Sequence, residues 1–248
     1  MNWIQFLYIF IVDWIQKIFI TVIDMDQTLI KSSPYYEQVY NQLKTMIIQG
    51  KFTPGERIYE AKIAEGFQVS RSPVREAIRV LAREGLLVVR NKQITVYHPT
   101  LRDVEEIYQC RMALESLAAR LASGMASDEE LVKIESVLNK TKEMIEEGEE
   151  KNKEQLVCLN ARFHDLIIEF SKNLRLQQQL EHLRSLSYFY RVLNFQGAGR
   201  ARVILEEHQE IFAQIRSRRE VEAAALMERH IANDLRHLKK ILQEKNFA

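Results

Sequence analysis

The sequence predicts a mainly α-helical protein, in which an N-terminal winged helix-turn-helix domain is followed by an all-helical bundle domain. Two observations lead to this fold class. All four prolines of the 248-residue chain lie between residues 34 and 99, among short apolar segments and turns. Beyond Thr100 there is no proline, and apolar residues recur at spacings of three and four. That pattern is typical of amphipathic helices packed in a bundle.

The composition is that of a globular protein, with 46% hydrophobic and 28% charged residues, and it excludes a disordered chain. Lys and Arg (35) almost balance Asp and Glu (34) over the whole chain. Residues 35–98, however, contain ten basic side chains against six acidic ones. The basic surplus therefore lies in the N-terminal domain, which favours an anionic partner there.

The two cysteines, Cys110 and Cys158, lie in apolar-periodic segments and do not form a CxxC motif. A disulfide framework is not expected from this spacing. The reducing cytoplasm is the compartment that fits such cysteine usage.

The N-terminal extension, residues 1–24, is rich in Trp, Phe and Ile but lacks a basic start and a small-residue cleavage site. It is therefore not a secretory signal. Its polar residues fall on one side of a helical wheel and leave a broad apolar face. Three interpretations remain: a membrane anchor, a helix docked on the protein or a partner, and an extension upstream of a true start at Met25.

The first domain begins with a predicted helix in YYEQVYNQLKTMIIQG, whose inner face is Val39, Leu43 and Ile47 and which stops at Gly50. A proline-glycine turn, KFTPGERI, follows, and EAKIAEGF predicts a short second helix.

The third helix lies in VSRSPVREAIRVLAREG, residues 69–85, with four arginines at a spacing of four. Ser72 is the predicted N-cap, Pro73 the first helical residue and Gly85 the stop. The inner face is formed by Val74, Ala77, Ile78 and Leu81, so the arginines lie outward. The β-prone runs LLVVR and QITVY then flank a tight turn at Asn91-Lys92. Three helices and a hairpin are the winged helix-turn-helix order.

The outward arginines suit a helix that enters the major groove, because an arginine can bond guanine O6 and N7 together. We expect Arg71 and Arg75 at base edges or adjoining phosphates, with the Ser70 and Ser72 hydroxyls on phosphates and Lys92 at the wing tip. The alternative is a solvated face, in which the arginines farther along pair with Glu76 and Glu84. The three-helix context with its hairpin favours DNA.

The segment from YEQVYNQLK to EGLLVV resembles the DNA-binding domain of the GntR family of bacterial transcription regulators. The elements PGERI, VSRSPVREAI and EGLL carry the resemblance. Ala61 stands where some members have a DNA-contacting arginine. The resemblance implies that the operator is contacted by the following residues: Ser70, Arg71, Ser72, Arg75, Asn91 and Lys92.

The second domain, expected over residues 101–245, resembles the FadR-type effector domain, also called FCD. TLRDVEEIYQCRMALESLAARLA matches its opening helix, with Arg111 and Glu115 at the Arg and Glu of the pattern. The segments LNARFHDLI, EEHQEIF and MERHIAND follow. The resemblance implies that a divalent metal, such as zinc, nickel or manganese, is bound by Asn160, His164, His208 and His230.

The residues themselves are compatible with such a site. Asn160 and His164 are one turn apart on one helix face, and His208 and His230 lie on two later helices. Three imidazoles and one oxygen ligand leave positions open for an effector carboxylate. Asn160 replaces the Asp that the family often has. Taken without the family, each histidine would be assigned to the surface or to packing.

Arg111 is the first effector-binding candidate, because a guanidinium inside a bundle needs an anion, which Glu115 or an incoming carboxylate supplies. Tyr190 and Arg191, in SYFYRVLNF, are the other candidates, with Tyr188 beside them. An aromatic run of this kind is also typical of core packing.

We therefore expect a ligand-responsive DNA-binding regulator, a repressor in the first instance, that senses a small organic acid and binds paired half-sites as a homodimer. Catalysis is not expected, because no nucleophile, base and orienting group occur together and no phosphate loop is present. Two alternatives remain: a metal-dependent helical-bundle enzyme that carries a DNA-binding module, and a regulator tethered to the membrane through residues 1–24.

Overall fold

The structure, a computed structural model, describes residues 34–244, so the interpretations given for residues 1–24 lie outside the described chain. Within the described range, no helix combines the length and the apolar character that crossing a lipid bilayer requires. The predicted fold class is confirmed, since the described residues form a winged helix-turn-helix domain followed by a helical domain.

The N-terminal domain has three helices and a small sheet in the predicted order. Helix α1 packs directly on α3, and the apolar faces predicted for both are buried. The domain consists of α1 (Tyr35–Ile48), β1 (Arg57–Ile58), α2 (Glu60–Gly66), α3 (Arg71–Arg83), β2 (Leu87–Arg90) and β3 (Gln93–Val96).

The wing is an antiparallel hairpin of β2 and β3, in which Arg90 pairs with Gln93 across a two-residue turn. Asn91 (φ 51°) and Lys92 (φ 62°) both adopt the left-handed conformation, as a type I′ turn requires. The hairpin thus keeps a tight tip without glycine. Strand β1 was not predicted, because two residues are too few to show an alternation of apolar and polar side chains. It pairs with β3 through Arg57 and Thr95.

The start of α3 corrects one prediction. The N-cap is Ser70, in extended conformation, and Arg71 is the first helical residue, whereas we expected Ser72 and Pro73 in these positions. Proline is accepted as the third helical residue because the first N–H groups of a helix have no intrahelical partner. Gly85 (φ 78°) follows the end of the helix as predicted.

The C-terminal domain contains six helices within the described range. Helices α4 and α9, of 25 residues each, form its most extensive pair. Thr100 caps α4 by accepting the Asp103 N–H, and a Ser127–Glu130 capping box starts α5. The helices are α4 (Leu101–Met125), α5 (Asp128–Glu147), α6 (Lys153–Phe170), α7 (Leu174–Asn194), α8 (Arg200–Arg216) and α9 (Glu220–Glu244).

Helix α7 contacts the winged domain through both polar and apolar residues. Lys44 of α1 donates to Ser185 Oγ (2.8 Å), which itself donates to Glu84 Oε2 (2.6 Å) at the end of α3. Lys44 also pairs with Glu84 at 2.9 Å. The next residue, Leu186, lies so close to Gly85 that a Cβ there would be 2.9 Å from Leu186 Cδ1. The contact is therefore both polar and tightly packed.

Candidate functional site

The predicted DNA-contacting residues form two groups on the surface of the winged domain. One group occupies the N-cap and the first turns of α3, and the other is the turn of the hairpin. All six side chains are exposed: Ser70, Arg71, Ser72, Arg75, Asn91 and Lys92.

The arginine row is not neutralised along its own helix. Glu84, which the alternative interpretation paired with the row, bonds Tyr40 (2.5 Å) and Lys44 instead. Arg75 differs from the others in its contact with α2: its Nε lies 3.2 Å from Glu60 Oε2 and its Nη2 lies 3.1 Å from the same oxygen. Among the described residues, Arg71, Arg79 and Arg83 have no carboxylate partner and thus remain available to an anionic partner.

A further basic cluster on this surface was not predicted. The Arg57 guanidinium lies 5.0 Å from the centre of the Tyr59 ring, and Lys62 Nζ lies 5.4 Å from it. Neither cation has a carboxylate partner within residues 34–244. Arg57 reaches this position through strand β1, for which the sequence carried no signal.

In the helical domain, the three predicted histidines converge. The ligand nitrogens of His164, His208 and His230 all lie within 4.8 Å of one another, and the three side chains are buried. His208 Nε2 is 3.2 Å from His230 Nε2. Asn160 lies one turn before His164 on α6, and its Oδ1 has no hydrogen-bond partner. The structure therefore brings the three predicted histidines to one place, with Asn160 one helical turn before His164.

Two carboxylates fix the orientation of the rings. Glu115 Oε2 lies 2.5 Å from His164 Nδ1, and Glu207 Oε2 lies 2.7 Å from His230 Nδ1. Because a carboxylate accepts, the proton of each neutral ring is on Nδ1 and the lone pair is on Nε2. Such carboxylate–histidine pairs are typical neighbours of a metal.

The donor atoms fit a first-row divalent cation. His164 Nε2 is buried without a partner, as is Asn160 Oδ1. Burial lowers the pKa of His164 to about 3 and holds that of His208 well below its usual range, so both rings are neutral at physiological pH. Neutral imidazoles are the form that binds metals.

A second group of donors, Glu207, His230 and Asp234, fits a metal less well. Arg200 donates to Asp234 Oδ1 at 2.5 Å, and its positive charge disfavours a cation beside that carboxylate. Neither Glu207 nor Asp234 was predicted, although the spacing of four between His230 and Asp234 was a readable signal. Both carboxylates lie beside the three-histidine cluster, where Glu207 bonds His230 and Asp234 lies 3.8 Å from the same ring.

Arg111 is fully buried beside this cluster. Its Nε donates to Glu115 Oε1 (2.7 Å), and its guanidinium lies 4.7 Å from the centre of the Tyr108 ring. Burial alone would raise the pKa of Glu115, but the neighbouring Arg111 and His164 hold that pKa well below its usual range. Both amino groups of Arg111, Nη1 and Nη2, have no hydrogen-bond partner among residues 34–244. The predicted ion pair with Glu115 is thus present, and it leaves four of the five N–H donors of the guanidinium unbonded.

Arg191, also predicted, faces the same carboxylate, with Nη2 3.8 Å from Glu115 Oε2 and an unpartnered Nε. A cavity of about 230 Å³ connects Glu115 and Arg191 to the surface between α6 and α7. Asp165 and Arg184 line its outer part and pair at 3.0 Å. A small molecule thus has a route to Arg191 and to Glu115, the carboxylate that Arg111 bonds.

Tyr190 occupies a different position from the one we expected. Its hydroxyl lies 2.5 Å from that of Tyr97, which follows β3 of the winged domain and also bonds Asp103. Its ring packs against Tyr108, with centres 6.2 Å apart. Tyr188 bonds Cys158 at 3.4 Å. Tyr190 therefore links the winged domain to the residues around Arg111 and does not present a free hydroxyl there.

Every buried side-chain atom that lacks a hydrogen-bond partner in the described range belongs to the helical domain. We call the buried polar residues around Arg111 and the histidines the polar interior. Each unpartnered group costs about 1–3 kcal/mol when it stays unbonded. This concentration is typical of a ligand site and not of a packed core. The atoms are Tyr108 Oη, Arg111 Nη1 and Nη2, Asn160 Oδ1, His164 Nε2, Arg191 Nε, Asn194 Oδ1 and Arg200 Nε.

Comparison with known families finds two matching profiles in this chain. Residues 35–96 match the profile of the bacterial regulatory proteins of the gntR family. Residues 106–233 match the profile of the FCD domain. The resemblance inferred from the sequence is thus confirmed for both parts.

Individual proteins are similar over nearly the whole chain. The uncharacterized HTH-type transcriptional regulator YdhC of Bacillus subtilis (strain 168) is 42% identical over 220 residues, which cover 88% of this chain and 97% of the relative. The HTH-type transcriptional repressor RspR of Escherichia coli (strain K12) is 24% identical over 90% of this chain and 96% of its own. The structure of E. coli McbR/YncC shares the fold, with a TM-score of 0.70 and 24% identity over 84% of this chain and 99% of that one.

Proposed function

We propose that this chain, which belongs to the GntR family of bacterial regulatory proteins, represses its target genes until a small organic acid binds. It is a ligand-responsive DNA-binding regulator of transcription. The observation that carries the choice of an acid is Arg111, whose two buried amino groups have no partner. A carboxylate satisfies both at once. The name of the similar repressor RspR supports the sign of regulation.

In this proposal, residues 35–98 bind the operator and residues 101–245 bind the effector and pair with a second copy. Arg71 and Arg75 contact base edges or adjoining phosphates, and the hydroxyls of Ser70 and Ser72 bond phosphates. Asn91 and Lys92 contact the duplex at the wing tip. Two copies related by a two-fold axis bind paired half-sites, as is usual for helix-turn-helix dimers.

A divalent ion, zinc, nickel or manganese, is proposed at His164, His208, His230 and Asn160. Such an ion supplies a positive charge and open coordination positions for the effector. Without it, the polar interior contains three basic and three acidic side chains, whose charges cancel. With it, the excess of two positive charges matches a carboxylate effector. The six side chains are Arg111, Arg191, Arg200, Glu115, Glu207 and Asp234.

Coupling between effector and DNA is proposed to run through α7. This helix bears Arg191 in the effector site and Ser185 in the contact with Lys44 and Glu84. The two positions are about 9 Å apart along the helix axis. An effector that binds one placement of α7 more tightly shifts the population of winged-domain arrangements toward it. Repression is relieved when the favoured arrangement no longer matches the half-site spacing.

We propose a binding role and not catalysis for the polar interior. The three histidines bond carboxylates or each other, and none bonds a serine or cysteine in the described residues. A cytoplasmic location is part of the proposal, since the target is DNA and both cysteines are free thiols. Rapid conversion of an organic acid by the metal-loaded protein would favour the enzyme alternative instead.

The test combines two measurements on the purified protein. A thermal-shift screen of mono- and dicarboxylic acids identifies those that raise the melting temperature. Duplexes selected from a random-sequence pool then serve as the operator in a gel-shift assay. We expect at least one stabilising acid to release the DNA, and Arg71→Ala to weaken DNA binding without changing the acid-induced shift. The control is Arg120→Ala, which removes an exposed arginine from the helical domain. An acid that tightens DNA binding would reverse the sign of regulation, and the absence of any acid that affects both measurements would contradict the proposal.

A further inference from the structure

Arg75 is the arginine of the row that is fixed by a carboxylate. Glu60, the first residue of α2, receives Nε–H and Nη2–H from Arg75 along one edge of the guanidinium. Nε lies 3.3 Å from Oε1 and 3.2 Å from Oε2, and Nη2 lies 3.1 Å from Oε2. Arg71, one turn earlier and equally outward, has no carboxylate partner within residues 34–244.

The contact leaves a defined part of Arg75 free. A guanidinium has five N–H donors, and this edge uses the Nε proton and one Nη2 proton. The two Nη1 protons and the second Nη2 proton remain, and they form the end of the fork. That end matches guanine O6 and N7 in the major groove. The Arg75 side chain is 53% exposed, so its free end is open to a partner.

We propose that Glu60 is a positioning residue for DNA recognition, which holds Arg75 so that the free end of its guanidinium reads a guanine. The inference rests on the proposed function, since it requires Arg75 to meet the operator. A free arginine side chain loses rotamer entropy when it is ordered. Glu60 imposes much of that order before DNA arrives, which favours one binding geometry.

The charge of Glu60 makes the proposal distinguishable from a general electrostatic effect. A carboxylate beside the DNA repels phosphates, so its removal alone should tighten binding to every duplex. Loss of positioning instead relaxes the preference for one base at one place. The two effects appear in different quantities, namely total affinity and base selectivity.

The experiment is selection from a random-sequence duplex pool, with sequencing of the bound fraction, using the full-length wild type, Glu60→Ala, Glu60→Gln and Arg75→Ala. The matched control is Glu65→Ala, which removes an exposed carboxylate from the same helix. We expect the wild type and the control to enrich guanine at one position. Arg75→Ala and Glu60→Ala should both lose at least about tenfold of that selectivity, or about 1.4 kcal/mol. Glu60→Gln, which keeps one acceptor oxygen and a similar shape, should fall between them.

Retention of this guanine by Glu60→Ala and Glu60→Gln would overturn the inference. If Arg75→Ala retained it too, the assignment of Arg75 would fail along with the role of Glu60, while the regulator proposal would stand. A wild type that enriched no common sequence would instead count against the proposed DNA-binding function itself. Equal melting temperatures of the variants would exclude unfolding as the cause of lost selectivity.

Discussion

Replacing Arg111 by methionine should leave the protein folded but weaken acid binding at least about 100-fold. Methionine carries no charge and ends near the position of Arg111 Nε, so it keeps the packing of the apolar stem without donating hydrogen bonds. In the wild type, Arg111 donates one hydrogen bond to Glu115 and keeps two amino groups unbonded. The substitution therefore removes a buried ion pair and also two unsatisfied groups.

The two effects on stability have opposite signs. Leaving Glu115 without Arg111 costs about 3–5 kcal/mol, as for other broken buried pairs. Removing Nη1 and Nη2 returns about 1–3 kcal/mol for each group that was unsatisfied. The free energy of unfolding should thus change by no more than about 3 kcal/mol in either direction. Effector binding has no such compensation, because two charge-assisted hydrogen bonds, at about 1.5–3 kcal/mol each, are lost.

That loss of about 3–6 kcal/mol corresponds to a factor of about 10² to 10⁴ in Kd. The assay is isothermal titration calorimetry with the acid that gives the largest thermal shift, together with melting curves without acid. Arg229→Met, at a 58% exposed arginine of the same domain, is the control and should change neither quantity. An unchanged Kd for Arg111→Met would refute the assignment of the effector anchor. A fall in melting temperature of more than about 10 °C would show that Arg111 is chiefly structural.

Four further results are expected. Arg75→Ala should lose about 1–3 kcal/mol of operator binding in gel-shift assays while keeping the acid-induced thermal shift; an unchanged operator affinity would contradict its role. Mass spectrometry of the native protein should find about one divalent ion per chain. His164→Ala should lose this ion together with the acid response, and Asn160→Asp should hold it more tightly. A wild type that lacks the ion and responds to no added zinc, nickel or manganese would remove the metal from the proposal. Ser185→Ala should retain both binding activities but reduce the ratio of DNA affinities without and with acid, and an unchanged ratio would exclude this contact from the coupling. Finally, metal-free protein should lose stability as the pH falls from about 6.5 toward about 3, because the pKa of His164 is lowered in the folded state and the unfolded state takes up the proton first. Each such histidine contributes a slope of about 1.4 kcal/mol per pH unit in urea unfolding, and a flat profile would be inconsistent with neutral buried rings.

Local pattern and backbone preference determined much of this protein from its sequence. The inner faces of α1 and α3, the hairpin turn at Asn91-Lys92 and the glycine stop at Gly85 follow from helical periodicity and from turns that need left-handed residues. The pairing of Arg111 with Glu115 also follows, since residues four apart share a helix face. These features depend on residues that are close to each other in the sequence, so they can be predicted from the sequence alone.

Sequence and family pattern together indicated the residues proposed to bind a metal, but not what surrounds them. His164, His208 and His230 lie on three helices, and only the packing of α6, α8 and α9 brings their nitrogens within 4.8 Å. The hydrogen bonds of Glu115 and Glu207 that set the ring tautomers depend on the same packing.

The tertiary structure alone decided the contacts between elements that are far apart in sequence. Ser185 and Glu84 are separated by 101 residues, and no periodicity relates them. Tyr190 was expected to face the effector, but the rotation of α7 against the winged domain turns its hydroxyl to Tyr97. Glu60 and Arg75 meet because α2 and α3 cross in space. Side-chain periodicity gives the face on which a residue lies, whereas its partner depends on how two elements pack, and that is fixed by the shape of the whole core.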